Sequence, residues 1–210
     1  RLVSEGSRPL LPWGQQLPQM KKEPELSFDL LRRLKGSEEL YVKKSIANHL
    51  NDISKNHPDK LLQELRLWRK ESPQNDHLEW IFRHGLRTLV KKGHQPSLQF
   101  LGYRGSLAKL EKLEISPKQL KLGQTLKVQA SLLFEGSGML MLDYAIHHKK
   151  ANGSLTAKVF KWKKLKVKKG HSQTFQKNHP IKKITTRTYY SGEQILEIFC
   201  NGISVGRNSF

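Results

Sequence analysis

The hydrophobic period of this chain changes once, near residue 104, and that change limits what the chain can fold into. Before it, apolar residues recur every three or four positions, as on one face of a helix. After it they alternate, as on one face of a strand. A run of helices followed by a run of strands points to two separate units rather than one interleaved layer. The 210 residues suffice for two small cores. The expected boundaries are 1–103 for a helical domain and 104–210 for a β-sandwich.

Within the first part, residues 1–26 hold four of the nine prolines, Pro9, Pro12, Pro18 and Pro24, and are expected to be irregular. Trp13 lies between Pro12 and Gly14, which favours a rigid functional loop over a bland linker. Ser27 is expected to cap a helix that ends at Gly36. The next helix, over 41–57, reads YVKKSIANHLNDISKNH. Val42, Ile46, Leu50 and Ile53 share one face, and Tyr41, Ser45, Asn48, Asp52 and Lys55 share another. Further helices are expected over 59–71 and 75–92, with a short fifth over 95–103. Helices joined by short Pro and Gly breaks predict antiparallel pairs in an α-solenoid. Two pairs bury a poor core alone, and the chain starts at Arg1 without Met, so preceding repeats of a longer protein are expected.

In the second part, strands are expected over 126–132, 140–146, 157–164, 184–190 and 194–200. Turn signals lie between them, such as Asn152-Gly153 and Ser191-Gly192. About seven short strands in about 100 residues predict a β-sandwich of immunoglobulin type.

Charge narrows the function. The formal net charge is +20, and residues 104–210 carry 20 Lys and Arg against 6 Asp and Glu. Such an excess suits a polyanion, nucleic acid first, through phosphate neutralisation and counterion release; a generally basic surface is the plainer alternative. The single cysteine, Cys200, excludes an internal disulfide and fits a reducing cytosol. No apolar run approaches the ~20 residues that a membrane helix needs. The histidine spacings match no metal motif, so neither metal nor cofactor is expected. In the helix over 75–92, Arg83, Arg87 and Lys91 recur at steps of four with His84 alongside, a stripe fit for a phosphate backbone. Lys43 and Lys44 add to it from the helix over 41–57. Asp52 lies mid-helix, where neither a cap nor the helix dipole explains a carboxylate; a structural hydrogen bond and a functional role both remain open there.

The stretches SEGSRPLLPWG at 4–14, YVKKSIANHLNDISKNHP at 41–58 and WIFRHGLRTLVKKG at 80–93 resemble the bacterial DNA alkylation repair proteins of the HEAT-like-repeat class. The likeness is to the branch of 3-methyladenine DNA glycosylases that carries a C-terminal immunoglobulin-like domain. It implies an α-α superhelix of HEAT-like repeats followed by that domain. It implies a monofunctional glycosylase, working as a monomer in the bacterial cytoplasm on cationic alkylated bases in double-stranded DNA. Asp52 then matches the catalytic aspartate, Glu5 and Trp13 match active-site positions, and Arg1 and Arg8 match DNA contacts. An active-site glutamate of the family, from an earlier helix, has no counterpart in this sequence.

Overall fold

The computed structural model describes residues 1–185 and 188–210. Contacts divide the chain into two compact units, Arg1–Leu101 and Gly102–Phe210.

The first unit is helical: α1 (Leu2–Gly6), α2 (Pro18–Lys22), α3 (Glu25–Leu34), α4 (Leu40–Asn56), α5 (Pro58–Glu71), α6 (Asp76–Gly85), α7 (Arg87–Lys91) and α8 (Gln95–Phe100). Two expectations need correction at its start. The stretch over 1–26 is not wholly irregular, because the five-residue helix α1 precedes its first proline and α2 fits between Pro18 and Pro24. Pro18 is the first residue of α2, where a missing N–H is no loss. Ser27 does not cap α3 but lies buried inside it.

α4 is the centre of the core. Its Ile46, Leu50 and Ile53 are buried against Leu61, Leu65 and Trp68 of α5 and Ile81 and Phe82 of α6. Each such side chain stabilises the fold by roughly 1.5–3 kcal/mol. Of the polar face of α4, Ser45 and Asp52 are buried while Tyr41 and Lys55 stay exposed, and His49, Asn51 and Ser54 beside it are buried as well. The helix expected over 75–92 is two helices. Asn75 caps α6 by accepting a hydrogen bond from the Leu78 N–H, and Leu86 (φ −92°, ψ 4°) separates α6 from α7. Just before that break Gly85 faces α4. A Cβ placed there would lie 3.0 Å from the Leu50 Cβ and 3.7 Å from the Ala47 carbonyl oxygen.

The second unit has seven strands among the described residues: β1 (Ala108–Ser116), β2 (Thr125–Phe134), β3 (Gly138–Lys149), β4 (Leu155–Val167), β5 (Ser172–Pro180), β6 (Ile195–Cys200) and β7 (Ile203–Ser209). They form two antiparallel sheets, β1-β2-β5 and β4-β3-β6-β7. This is an immunoglobulin-like sandwich whose fourth strand has joined the second sheet. Between the sheets lie Leu126, Val128, Leu132, Leu142, Tyr144, Ile146, Leu196 and Ile198. The strand expected over 184–190 includes residues 186 and 187, which lie outside the described residues; those on either side of them form no strand. Three strands that the alternation did not single out are β1, β5 and β7. β7 follows a two-residue turn, Asn201-Gly202, with φ of 50° and 75°. Such a turn suits a tight hairpin. The buried Asn201 secures it, accepting from the Met141 N–H at 2.8 Å and donating to the Met139 carbonyl at 3.2 Å.

Two side chains at close quarters give measurable expectations. Gly85→Val would push α6 off α4 and is expected to lower unfolding free energy by about 1–3 kcal/mol in urea titration. Asp143, buried on β3, leaves its Oδ1 without a partner. Burial pushes its carboxyl up to about 6, against the opposing pull of Lys161 and Lys164. A carboxyl raised from 3.8 to about 6 stabilises the fold most below 3.8, and that contribution is lost as pH rises through 6. Asp143→Asn is therefore expected to flatten this pH dependence. It should raise stability at pH 7.5 by on the order of 1–3 kcal/mol, as denaturant titrations at pH 4 and 7.5 would read out.

Candidate active site

Asp52 lies in the last third of α4 and is 1% exposed. The covering segment is α1 with the residues that follow it. Arg8, 7% exposed, donates from Nε to Asp52 Oδ2 at 2.9 Å and from Nη1 to Glu5 Oε1 at 2.5 Å. The other oxygen of each carboxylate has its own partner. Lys55 Nζ donates to Asp52 Oδ1 at 2.9 Å, and Ser45 Oγ donates to Glu5 Oε2 at 2.8 Å. Ser45 has one proton, which goes to Glu5, so the Ser4 hydroxyl 2.7 Å away is the donor to Ser45. The site thus holds two carboxylates and two cations, a neutral set in which every oxygen is bonded.

The electrostatics follow from this pairing. Burial works to raise the Glu5 carboxyl, but the hydrogen bonds from Arg8 and Ser45 outweigh it and hold the group below its ordinary value. Burial works to lower the Arg8 guanidinium, and the bonds to Asp52 and Glu5 outweigh that too, so its pKa rises. His49, one turn before Asp52, differs. Burial lowers its pKa, so the ring is neutral near neutral pH. Its Nδ1 lies 3.0 Å from the Ser4 carbonyl and must carry the proton there, while Nε2, buried, meets no partner.

The expected site residues divide into two groups. Asp52, Glu5 and Arg8 come together. Arg8 is buried and held by both carboxylates. The remaining cations lie at the start of α1 and on α4, α6 and α7. The Arg1 guanidinium lies 5.3 Å and the Lys44 ammonium 6.0 Å from the Tyr41 ring centre. Lys43 lies 4.7 Å from the Trp80 ring centre, and the His84 ring stacks on Trp80 at 3.6 Å. Arg87 donates to Asn48 Oδ1 at 3.0 Å and to the His84 carbonyl at 2.6 Å. Arg83 and Lys91 are exposed. Trp13 is 106% exposed, with φ of 62°. That left-handed backbone costs a bulky residue roughly 1–3 kcal/mol, and the indole stands in solvent.

Sequence reasoning gave no role to Ser4, Ser45, His49, Asn51 or Trp80. Asn51 accepts from the Thr88 hydroxyl at 2.9 Å and so ties α7 to α4. A signal existed: the run NHLND sets four polar side chains, Asn48, His49, Asn51 and Asp52, around one leucine, more than a solvated face requires next to an apolar stripe. No group of three or more His, Cys, Asp or Glu side chains fit to hold a metal ion occurs among the described residues. The cluster can offer carboxylate oxygens to a cationic or electron-poor centre, and the rim can offer cations and aromatic faces to a polyanion.

Comparison with known proteins extends over both units. A family model described as "Uncharacterised protein YhaZ, C-terminal Ig-like domain" matches residues 109–210. The YhaZ protein of Bacillus subtilis (strain 168) is 37% identical over 203 residues, which are 96% of this chain and 56% of that protein. The solved structure of Pseudomonas fluorescens alkylpurine DNA glycosylase AlkC, bound to DNA containing an abasic site analog, superposes with a TM-score of 0.91. It is 37% identical and covers 100% of this chain and 58% of that one. The chain therefore spans a little over half the length of the relatives it matches. Residues 109–210 match the YhaZ C-terminal immunoglobulin-like domain, and the helical unit and sandwich together are similar, end to end, to the corresponding part of the AlkC glycosylase.

Proposed function

We propose that the protein is a DNA repair glycosylase, a monomer of the bacterial cytoplasm, that hydrolyses the N-glycosidic bond of cationic alkylated bases in duplex DNA. 3-Methyladenine is the type substrate, with 3-methylcytosine a second. One observation carries this reading: Arg8 draws Asp52 of the core helix α4 and Glu5 of α1 together, in a chain similar throughout to AlkC. The chemistry asks little of the protein as an acid. A methylated base with a positive charge departs as a neutral molecule. What needs help is the oxocarbenium-like sugar and the incoming water. A carboxylate near C1′ stabilises the first by charge and orients the second by hydrogen bonding. Trp13 is suited to stack on the lesion, where a cation–π contact contributes ~0.5–2 kcal/mol. Arg1, Lys43, Lys44, Arg83, His84, Arg87 and Lys91 serve the phosphates. No lysine nucleophile is needed, so the reaction stops at the abasic site.

A second reading follows from the same site. A carboxylate that is 1% exposed and fully paired could be structural, in a protein that binds duplex DNA without cutting it. Base release from methylated duplex separates the two. The intact protein is expected to release 3-methyladenine, and Asp52→Asn to be slower by ~100-fold or more. Equal rates would remove Asp52 from the chemistry, and release by neither protein would favour the binding-only reading.

The sandwich enters as a further part of the proposal. Lys158, Lys161, Lys163, Lys164, Lys166, Lys168 and Lys169 lie on β4 and the turn after it. β4 is one arm of the antiparallel hairpin that it forms with β3. In this reading they bind the DNA backbone without reading sequence. Removing residues 104–210 is expected to make the salt dependence of DNA affinity shallower, by about 0.9 in the log–log slope for each phosphate that the sandwich neutralises. An unchanged slope would exclude the sandwich from the backbone.

A further inference from the structure

Asp52 cannot meet a substrate in the arrangement described. Its Oδ2 is taken by Arg8 and its Oδ1 by Lys55, and almost none of it is exposed. The two cations differ in a way that matters. Arg8 binds one oxygen of each carboxylate, Asp52 Oδ2 and Glu5 Oε1, and so occupies the space between them. Lys55 and Ser45 bind the other two oxygens, Asp52 Oδ1 and Glu5 Oε2, one each. Taking Arg8 away would free two oxygens that face one vacated place. It would leave each carboxylate anchored through its remaining bond. Asp52 would keep Lys55 as its counter-charge, so departure of Arg8 would not strand a bare buried anion.

The departing group is itself informative. A guanidinium is a planar, delocalised monocation. Held between two carboxylates, it has the shape and charge that a planar cationic base or a flattened oxocarbenium sugar would bring. It also forms bidentate bonds with phosphate as readily as with carboxylate. We infer that the Arg8 side chain is a displaceable latch: it fills the carboxylate site as a stand-in for a planar cationic ligand, and it must leave before Asp52 can act. A cationic lesion then trades places with a guanidinium of equal charge, and a nearby phosphate receives the guanidinium. An undamaged neutral base offers the two carboxylates no replacement cation, so the latch favours cationic bases over neutral ones. This inference rests on the glycosylase reading for its substrate, but not for its geometry.

The test labels carboxylates in the intact protein with a water-soluble carbodiimide and an amine, and reads each site by mass spectrometry. Glu64, buried and bonded to Arg32 and Trp68, reports the integrity of the fold. In the parent protein Asp52 is expected to resist labelling. In Arg8→Gln its labelling should rise by about an order of magnitude while Glu64 stays protected. Methylguanidinium, the missing end of the side chain, should restore protection of Asp52 in that variant and have no effect on the parent. Glu5→Ala removes only one of the two anchors of Arg8. It is the milder variant, expected to raise Asp52 labelling by a smaller factor should Arg8→Gln disturb the fold. Asp52 remaining unlabelled in a variant that keeps Glu64 protected would overturn the latch, as would indifference to methylguanidinium. Base release by the parent protein is scored separately. Its absence would sink the glycosylase reading and leave the labelling result standing.

Discussion

One guanidinium, that of Arg8, ties the first helix of this protein to its central one. α1 has five residues and cannot be stable alone, since forming a single helical turn is unfavourable without tertiary contacts. Its attachment to α4 is polar rather than apolar: Ser4 to Ser45, the Ser4 carbonyl to His49, and Arg8 to both Asp52 and Glu5. Leu2 and Val3 of α1 stand exposed and add little. Breaking a buried ion pair by removing one partner costs about 3–5 kcal/mol, so each member of the set depends on the others. The balance of two carboxylates with Arg8 and Lys55 is what allows Asp52 and Arg8 to lie buried beneath a segment with almost no apolar grip.

The same helix serves the core and the site, and the two duties meet through its neighbours. Leu50 and Ile53 bury the apolar face of α4, while Ser45, His49 and Asp52 hold the segment of α1. Gly85 lets α6 come close enough for its end to sit on Leu50. The break at Leu86 then starts α7 in a new direction, and Thr88 and Arg87 reach back to Asn51 and Asn48 on α4. Aromatic rings do similar work at the rim. Lys43 and His84 flank the Trp80 ring, and Arg1 and Lys44 lie over Tyr41. Long flexible cations lose less entropy on binding a partner when a ring already restricts them.

Periodicity in the sequence showed the apolar stripe of α4 and the strands β2, β3, β4 and β6, because burial on one face leaves a repeat that can be counted. It could not show that Ser45 and Asp52 of the polar stripe are covered. The covering residues Ser4, Glu5 and Arg8 lie some forty positions away, and no local pattern encodes a contact at that range. Asp52 was legible as an unexplained carboxylate, and its partner was not. The strands that escaped have separate causes. In β1 a bulge between Leu110 and Lys112 inserts a residue and breaks the alternation. β5 is a sheet-edge strand in which Phe175 is the one residue fully buried, so it has almost no apolar repeat. β7 was announced by Asn201-Gly202, a strong hairpin signal, but the run was read as ending at Cys200. Its own residues, ISVGRNS, bury none of their number.

The lysines of β4 show how one composition can meet two demands. β4 is an edge strand, and an exposed edge invites pairing with another chain. A bulge between Leu142 and Asp143 shifts the register of its partner strand. Lys158 then lies opposite Ile146 and Lys163 opposite Leu142, both on the side that faces the other sheet. These two do not remain in the apolar layer. Lys158 extends over the Phe160 ring at 5.4 Å and Lys163 over the Phe175 ring at 5.8 Å, with their stems against the aromatic side of the sandwich. Inward-pointing charges of this kind guard an edge against strand addition. Lys161, Lys164 and Lys166 fall on the opposite face, against Asp143, Met141 and Met139. Edge protection alone does not require a second row on that face. The two rows therefore differ: Lys158 and Lys163 guard the edge, while the charge of Lys161, Lys164 and Lys166 exceeds what edge protection needs.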